Sequence, residues 1–365
     1  MLPAPAPAAP VSEPLDARIE ASLGDPAALT AGLWTEVGWR TEPAGPEMAD
    51  LVAAARAADG GKHLRPRLVA ASYLAHGGDD DALLRRVAAA QQLIHVGLCI
   101  HDDLIDGDLV RHGRPNVIGR AAAAARGAGL AEAAATRQGE ASGLLAGDLA
   151  LNAAVLALVA APAPDRVRLA LAAAALEAIE RTVAGELLDV RSETLAPEQS
   201  TPILVARLKT ASYSVSLPLR LGAIAAGVDD ATTADAIERV GTALGIAYQL
   251  GDDDLGLFGS PETTGKSALS DLRDGKRTEH VRLALERADE TGRATILRSL
   301  GSPAATDEDA RRVRAIVTAT GARAAVDELI EEHLERGIRT ARAELPAELA
   351  DHLAGLAVAL RHRIR

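Results

Sequence analysis

The amino-acid sequence predicts an all-α fold. Alanine and leucine dominate the 365 residues, and aromatic residues make up only 2% of them, a composition that favours helices. Apolar side chains recur at helical spacing along most of the chain, and runs that alternate between apolar and polar residues are almost absent. The sequence therefore predicts about thirteen helices around one hydrophobic core.

Prolines, glycines and polar clusters mark where the predicted helices begin and end. The first helices are expected near Pro14 and over residues 26–40, 46–58, 62–74 and 79–107. A basic loop at 111–115 and an Ala-rich, glycine-interrupted stretch at 121–137 precede helices over 140–160, 165–191, 202–226 and 232–257. Beyond a polar loop at 259–276, the last helices cover 278–288, 290–300, a segment from Thr306, 322–344 and 346–365. Pro218 predicts a kink, and Thr306 with Asp309 has the pattern of a capping box.

Composition and charge exclude several classes of protein. The net charge of −12 argues against a nucleic-acid partner. A single cysteine, Cys99, excludes an internal disulfide and predicts a cytoplasmic protein. The Ala-rich runs are too weakly hydrophobic for a membrane span. Residues 1–13 are rich in Ala and Pro and predict a disordered tail, which leaves 14–365 as one domain.

A first acidic cluster follows the apolar run at 93–100. Asp102 and Asp106 lie one helical turn apart on the same face, with Asp103 beside them, and His95 lies two turns before Asp102 on that face. Acids at a helix C-terminus oppose the helix dipole, a cost that a bound cation offsets. Carboxylate oxygens suit Mg²⁺, which bridges to substrate phosphates. The alternative is a solvated acidic helix end.

A second acidic cluster favours the metal interpretation. Asp252 and Asp253 follow another apolar helical run, shortly after Gln249. Two such clusters can clamp one diphosphate through shared metal ions.

Basic residues accompany both clusters. Lys62 and Arg65 lie on one face of a helix's first turn, where free N–H groups already favour an anion. The alternative for this pair is an ordinary basic surface. Further cations and polar groups stand beside the acids, namely Arg111, His112, Lys209, Thr210, Lys266 and Lys276. The pattern predicts two phosphorylated ligands, one bridged by metal and one held by cations alone.

These motifs together resemble the trans-isoprenyl diphosphate synthase (polyprenyl synthetase) family, and among its members the bacterial geranylgeranyl diphosphate synthases. The resemblance runs in register through GGKxLRP at 60–66, HxxxxxHDDxxD at 95–106, RxG at 111–113, AGD at 146–148, GxxLD at 185–189, KTAxY at 209–213, QxxDD at 249–253, TGK at 264–266 and SDLxxGKRT at 270–278. Each motif is weak alone, but nine in the same order are very specific.

The resemblance implies an isoprenoid synthase-type helical bundle around a central cavity, usually as a homodimer. It implies that isopentenyl diphosphate is joined to an allylic diphosphate, with Asp102, Asp106 and Asp252 ligating three Mg²⁺ ions. It further implies a catalytic group completed by Asp103, Asp253 and Lys209, a diphosphate cradle of Arg111, Lys209 and Lys266, and an isopentenyl diphosphate pocket of Lys62, Arg65 and His95. The further residues expected to bind substrate are His112, Thr210, Gln249 and Lys276.

Four positions depart from the family pattern. Gly256 stands where the second acidic motif ends in Asp, and Asp254 is an extra acid on a different helical face. His112 and His63 each replace an Arg, and Glu186 replaces a Gln. These departures bear on affinity and co-substrate choice more than on the class of reaction.

The product length is expected to be set along the helix of Asp102. Leu98 and Ile94 lie one and two turns before it and face the growing tail, with Gly97 beside them, and each turn is close to one isoprene unit. Because no aromatic residue stands there, the sequence predicts a product of C20 or longer, with geranylgeranyl diphosphate favoured. The Ala-rich stretch 121–125 is expected to widen the same channel; the alternative is a floor supplied by another helix.

Three other functions compete with this interpretation. A class I terpene cyclase shares the DDxxD motif but needs no second phosphate pocket. An HD-type metal phosphohydrolase would use His101 and Asp102, but its other histidine ligands are not evident. A regulatory prenyltransferase subunit would have no need of complete metal and cation sets.

Overall fold

The computed structural model describes residues 13–25, 28–196, 199–259 and 272–364. This part of the chain is almost entirely helical, so the prediction of an all-α fold is confirmed. It contains sixteen α-helices rather than thirteen, partly because a one-turn helix, α9, precedes a π-helical segment. The first eight are α1 (Leu15–Leu23), α2 (Ala31–Thr41), α3 (Pro46–Ala57), α4 (Leu64–Ala75), α5 (Asp81–Ile105), α6 (Val117–Gly127), α7 (Glu132–Val159) and α8 (Asp165–Ser192).

The second half continues with α9 (Pro202–Val205), the π segment (Ala206–Ser216), α10 (Leu217–Ala225), α11 (Ala231–Phe258), α12 (Glu279–Arg287), α13 (Glu290–Ser299), α14 (Asp307–Ala319), α15 (Ala322–Glu344) and α16 (Ala347–Ile364). One cluster of buried apolar residues joins helices from α1 to α16. The capping box of Thr306 and Asp309 forms as predicted at the start of α14.

Helix α5 places the first acidic cluster. Asp80 caps its N-terminus by accepting hydrogen bonds from the backbone of Ala82 and Leu83. Its apolar stripe is buried against α4 and α7, with Leu93 and Ile94 fully buried. The packing of this stripe therefore fixes the direction of the acids that follow it.

The basic loop predicted after α5 forms a small β-hairpin. Strand β1 (Val110–Arg111) pairs antiparallel with β2 (Arg114–Pro115). The two turn residues, His112 and Gly113, have φ values of 52° and 72°, the sign that a tight two-residue hairpin needs. Histidine tolerates this left-handed backbone better than most side chains do, which is one physical reason for His at this position.

The expected kink at Pro218 takes a different form. The helix passes directly from π to α hydrogen bonding, and Pro218 lies in the first turn of α10. Five residues earlier, the carbonyl of Tyr213 accepts a hydrogen bond from Gln91 Nε2 at 2.9 Å. A proline cannot donate to that carbonyl, and Gln91 supplies the missing donor.

Glycines on two neighbouring helices make room for the π segment. A Cβ added at Gly185 of α8 would lie 2.3 Å from the backbone nitrogen of Lys209. One added at Gly245 of α11 would lie 2.4 Å from Ala211. The backbones approach closely only because both positions lack a side chain.

Helix α7 is longer and more apolar than the sequence analysis allowed, because it begins at Glu132 instead of residue 140. Among the described residues it is the one helix long and apolar enough to cross a membrane by length and composition alone, with a mean hydropathy of 1.8. Core helices pass the same test, and Ala150, Ala154 and Leu158 of α7 are fully buried.

Candidate active site

A cavity of about 1570 Å³ opens between α5, α8, the π segment and α11. Most residues that the sequence singled out line it: Lys62, Arg65, His95, Leu98, Asp102, Arg111, His112, Lys209, Thr210, Gln249, Asp252, Asp253 and Lys276. The structure thus brings both acidic clusters and both basic groups to one space. Lys266 lies outside the described residues.

Asp102 and Asp103 of the first cluster have different surroundings. Asp103 is 3% exposed and accepts a hydrogen bond from Arg111 Nε at 2.8 Å. Arg111 Nη2 also donates to Asp102 at 3.0 Å. The buried carboxylate of Asp103 therefore fixes the position of Arg111, while Asp102 lines the cavity.

Lys209 is surrounded by carboxylates from two helices. Its Nζ lies 3.2 Å from Asp102, 2.9 Å from Glu186 and 2.8 Å from Asp189. Glu186 and Asp189 belong to the GxxLD motif of α8, and neither of them was predicted to take part in the site.

Neighbouring charges shift the pKa values of Lys209 and Asp102. Burial lowers the pKa of Lys209, but the attraction of Asp102, Asp189 and Glu186 outweighs it and raises the pKa. Burial raises the pKa of Asp102, yet Lys209 and Arg111 hold it below its ordinary value. At neutral pH, lysine and aspartate are both charged, as a site for a metal diphosphate requires.

Carboxylate oxygens of Asp102, Asp106 and Glu186 lie within 4.8 Å of one another. Such a set of hard oxygen ligands fits Mg²⁺. His101 does not join it, because its Nε2 lies 3.2 Å from the carbonyl of Leu144 on α7. That placement does not favour a phosphohydrolase centre built on His101.

The second acidic cluster lines the same cavity as Asp102 of the first. Gln249 Nε2 donates to Asp253 at 2.8 Å, and Thr210 donates to Gln249 Oε1 at 2.5 Å. Asp252 and Gly256 line the cavity beside them. Asp254 points away from the cavity and is 1% exposed.

The residues of the predicted second phosphate pocket line the same cavity. Arg65 donates to Ser214 at 2.8 Å and to the Tyr213 hydroxyl at 3.2 Å, and its guanidinium lies 4.9 Å from the Tyr213 ring centre. The other face of the pocket is His95, whose ring stacks on Tyr213 with centres 6.1 Å apart. Burial and the nearby Arg65 lower the pKa of His95, which is therefore neutral at pH 7. Lys62 is exposed at the rim.

His63 has a structural role beside this pocket. It occupies the N-cap position of α4 with a left-handed backbone, φ 49°, and its side chain makes no capping hydrogen bond. Asp59 lies 3.5 Å from its Nε2 and accepts hydrogen bonds from Thr30 and Gln92, both at 2.7 Å. This network positions the loop that carries Lys62.

A basic segment before α12 lies beside the first acidic cluster. Lys276 Nζ lies 3.6 Å from Asp106 Oδ2. Its neighbour Arg277 also lines the cavity, a residue that the sequence analysis missed although it lies within the motif SDLxxGKRT.

The residues expected to set product length are placed differently from one another. Leu98 lines the cavity. Ile94 is fully buried and is not among the lining residues, and a Cβ on Gly97 would lie 2.9 Å from Leu151 of α7. The stretch 121–125 lies on α6 against α7 and does not line the cavity, so the widening expected there is not seen.

Comparisons with known proteins agree with this geometry. Residues 48–317 match the model of the polyprenyl synthetase family. The geranylgeranyl diphosphate synthase of Mycobacterium tuberculosis is 33% identical over 323 residues, which are 87% of this chain and 82% of the relative. The (2E,6E)-farnesyl diphosphate synthase of that organism is 31% identical over 302 residues, 81% of this chain and 78% of the relative.

A solved structure extends the likeness to the fold. The crystal structure of a geranylgeranyl pyrophosphate synthase from Corynebacterium glutamicum, complexed with isoprenyl diphosphate and magnesium, has a TM-score of 0.86 and 30% sequence identity. The alignment covers 96% of this chain and 100% of that chain. The predicted isoprenoid synthase-type bundle is confirmed.

Proposed function

This protein belongs to the polyprenyl synthetase family, and on that premise we propose that it is a trans-prenyltransferase that condenses isopentenyl diphosphate with an allylic diphosphate. The observation that carries the proposal is the meeting of two acidic clusters, from α5 and α11, with two groups of cations in one cavity. A protein that bound a single phosphate would need only one of these groups.

We assign the allylic diphosphate to the acidic side. Asp102, Asp106 and Asp252 would hold Mg²⁺, three ions in all, and the metal would supply positive charge to the diphosphate as its bond to the allylic carbon breaks. Lys209, Arg111 and Lys276 add fixed cations, and Thr210 orients Gln249 and, through it, Asp253. These groups stabilise charge that develops only as the leaving group departs, so they accelerate the reaction.

We assign isopentenyl diphosphate to Arg65, Lys62 and His95. Arg65 is already held by Ser214 and Tyr213, so it presents its remaining N–H groups without losing side-chain freedom on binding. The isopentenyl double bond attacks the allylic cation, a carbon–carbon bond forms, and the proton lost from the product passes to the released diphosphate. The apolar walls exclude water that would quench the cation.

The product is proposed to be C20 or longer, with geranylgeranyl diphosphate favoured. Leu98 of α5 and Leu144 of α7 line the cavity, and none of the tyrosines that line it stands one or two turns before Asp102. One turn before Asp102 the tail would therefore meet an aliphatic side chain, Leu98, and not a tyrosine.

We further propose that the enzyme is a cytoplasmic homodimer. Helices α7 and α8 pack together and leave eight large apolar side chains exposed, some of them at the cavity, and a contiguous apolar surface marks an interaction site. They are Leu144, Leu145, Leu156, Val159, Leu169, Leu176, Val183 and Leu187. A second copy of the same surface would cover them symmetrically. Light scattering should give a molar mass twice that of one chain. Leu145→Arg should reduce the measured mass to that of a single chain.

An assay of the purified protein tests the function. It should release pyrophosphate and form longer prenyl diphosphates from isopentenyl diphosphate, each allylic diphosphate in turn and Mg²⁺. Hydrocarbon formed from an allylic diphosphate alone would instead indicate a terpene cyclase. No turnover until another subunit is added would indicate a regulatory subunit.

A further inference from the structure

The extra acid of the second cluster, Asp254, is buried on the far side of α11 from the cavity. Its two oxygens accept hydrogen bonds from Arg323 Nε and Nη2, both at 2.9 Å. This bidentate geometry is the most directional pairing available to a carboxylate. Arg323 lies in the first turn of α15, so the pair ties the end of α11 to the start of α15.

Two further side chains, Phe258 and His280, pack on the Asp254–Arg323 pair. We call Asp254, Arg323 and His280 together the anchor. The guanidinium of Arg323 lies 3.9 Å from the ring centre of Phe258, one turn after Asp254. His280, in the first turn of α12, is fully buried, and its Nε2 lies 3.3 Å from Asp254 Oδ1. One carboxylate of α11 therefore contacts both α12 and α15.

The anchor is close in sequence to two parts of the proposed diphosphate site, the second acidic cluster and the basic segment that carries Lys276. Asp254 directly follows Asp252 and Asp253, so holding its side chain fixes the rotation of that last stretch of α11 about its axis. His280 comes four residues after Lys276, which faces Asp106 of the first cluster. A shift of Asp254 would thus move both the second acidic cluster and the basic segment.

We propose that Asp254, together with Arg323 and His280, is a positioning site that sets the spacing between the two acidic clusters and so the affinity for the metal diphosphate. The proposal rests on the proposed function and goes beyond it, because it assigns a role to three residues that touch neither metal nor substrate. Partners behind a metal ligand orient it, and their loss commonly weakens metal binding.

The chain offers a matched control for this anchor. Arg239 near the start of α11 forms an ion pair with Glu344 near the end of α15, with Nη1 2.8 Å from Oε1. The pair joins the same two helices at their opposite end, far along α11 from the acids. If the anchor served only to hold α11 against α15, breaking either pair would have the same kind of effect.

The test compares Asp254→Asn, Arg323→Lys and the control Arg239→Gln with the parent enzyme. Asp254→Asn keeps the shape of the side chain but loses its charge, and Arg323→Lys keeps the charge but not the bidentate geometry. Calorimetry measures the binding of inorganic pyrophosphate with Mg²⁺, and steady-state kinetics give KM for each substrate. Thermal unfolding monitors the fold.

Asp254→Asn should weaken Mg²⁺–pyrophosphate binding and raise the allylic KM by about tenfold, with a smaller effect for Arg323→Lys and none for Arg239→Gln. KM for isopentenyl diphosphate should stay within about twofold of the parent value. Arg65 lies on α4 and is held by Ser214 of the π segment, so it shares no contact with Asp254. If Asp254→Asn does not fold, Arg323→Lys alone decides the question. Unchanged pyrophosphate binding in a folded variant, or an equal change in both substrates, would overturn the proposal. An inactive parent enzyme would instead refute the proposed function.

Discussion

Lys209 of the π segment and Asp102 of α5 face each other with 3.2 Å between Nζ and the carboxylate oxygen. The ion pair joins the KTAxY motif to the first acidic motif, so two elements far apart in the sequence meet at the point where a diphosphate would bind. Because Glu186 and Asp189 share the same ammonium, the lysine is held in place before any substrate arrives.

Both acidic clusters should be needed for turnover. Asp102→Ala or Asp252→Ala removes a carboxylate that is proposed to hold the Mg²⁺ ions, and it is the ions that would stabilise leaving-group charge. Each variant should therefore lower kcat by about a hundredfold or more. Asp165→Ala, at an exposed position of α8, is the control and should leave kcat unchanged. Steady-state kinetics at saturating Mg²⁺ measure the effect; near-normal turnover in both cluster variants would refute the metal clamp.

The sequence predicts the parts of this site that lie on regular helices. The acids of α5 and α11 could be placed on a face because helical periodicity is reliable there, and the order of the motifs indicates the family. The π segment could not be foreseen, since its hydrogen bonding depends on how closely Gly185 and Gly245 let neighbouring helices approach. The partners of Asp254 were also out of reach, because nothing local in the sequence brings Arg323 or His280 to it.

Gly185→Ala should displace Lys209. The added Cβ would lie 2.3 Å from the Lys209 nitrogen, a distance at which the backbone has to move. We expect a loss of about 2 kcal/mol in the free energy of unfolding, together with a large fall in kcat. Gly38→Ala on α2 meets nothing within 4 Å and should be neutral or slightly stabilising. Denaturant titrations and kinetics on both variants check this; a Gly185→Ala enzyme with normal stability and kcat would mean that the π segment is not tightly packed.

Arg65 should serve isopentenyl diphosphate and not the allylic substrate. Arg65→Ala is expected to raise KM for isopentenyl diphosphate by at least about tenfold, because a cation–phosphate contact is lost, with a smaller change in the allylic KM. Arg85→Ala, an arginine of α5 outside the cavity lining, is the control. A change confined to the allylic KM would contradict the assignment.

His112 is also expected to affect the binding of isopentenyl diphosphate. His112→Arg restores a cation at the cavity and should lower KM for isopentenyl diphosphate, although the left-handed backbone there favours His over Arg. An unchanged KM would mean that His112 does not contact this substrate.

Stability should fall in mild acid because of His333. Burial, and then the adjacent Arg336, lower the pKa of His333 to about 4. The unfolded chain takes up this proton near pH 6.5, so between about pH 6.5 and 4 the unfolded state binds more protons than the folded state and stability drops as pH falls. His333→Gln should remove about 1 kcal/mol of that loss between pH 7.5 and 5, measured by urea unfolding at both pH values. If the free energy of unfolding falls equally in the parent and the variant between the two pH values, His333 is not the cause.

Product length should respond to Leu98, the one of the three proposed tail contacts that lines the cavity. The parent enzyme is expected to form C20 or longer products from dimethylallyl diphosphate, which mass analysis after dephosphorylation will identify. Leu98→Phe places a ring about one helical turn, roughly 5.4 Å, before Asp102, and should shorten the dominant product by one or more isoprene units. Leu144→Phe tests the alternative floor, because Leu144 faces the same cavity from α7. If Leu144→Phe shortens the product and Leu98→Phe does not, the floor belongs to α7; a parent enzyme that makes mainly C15 would show that a floor already exists short of Leu98.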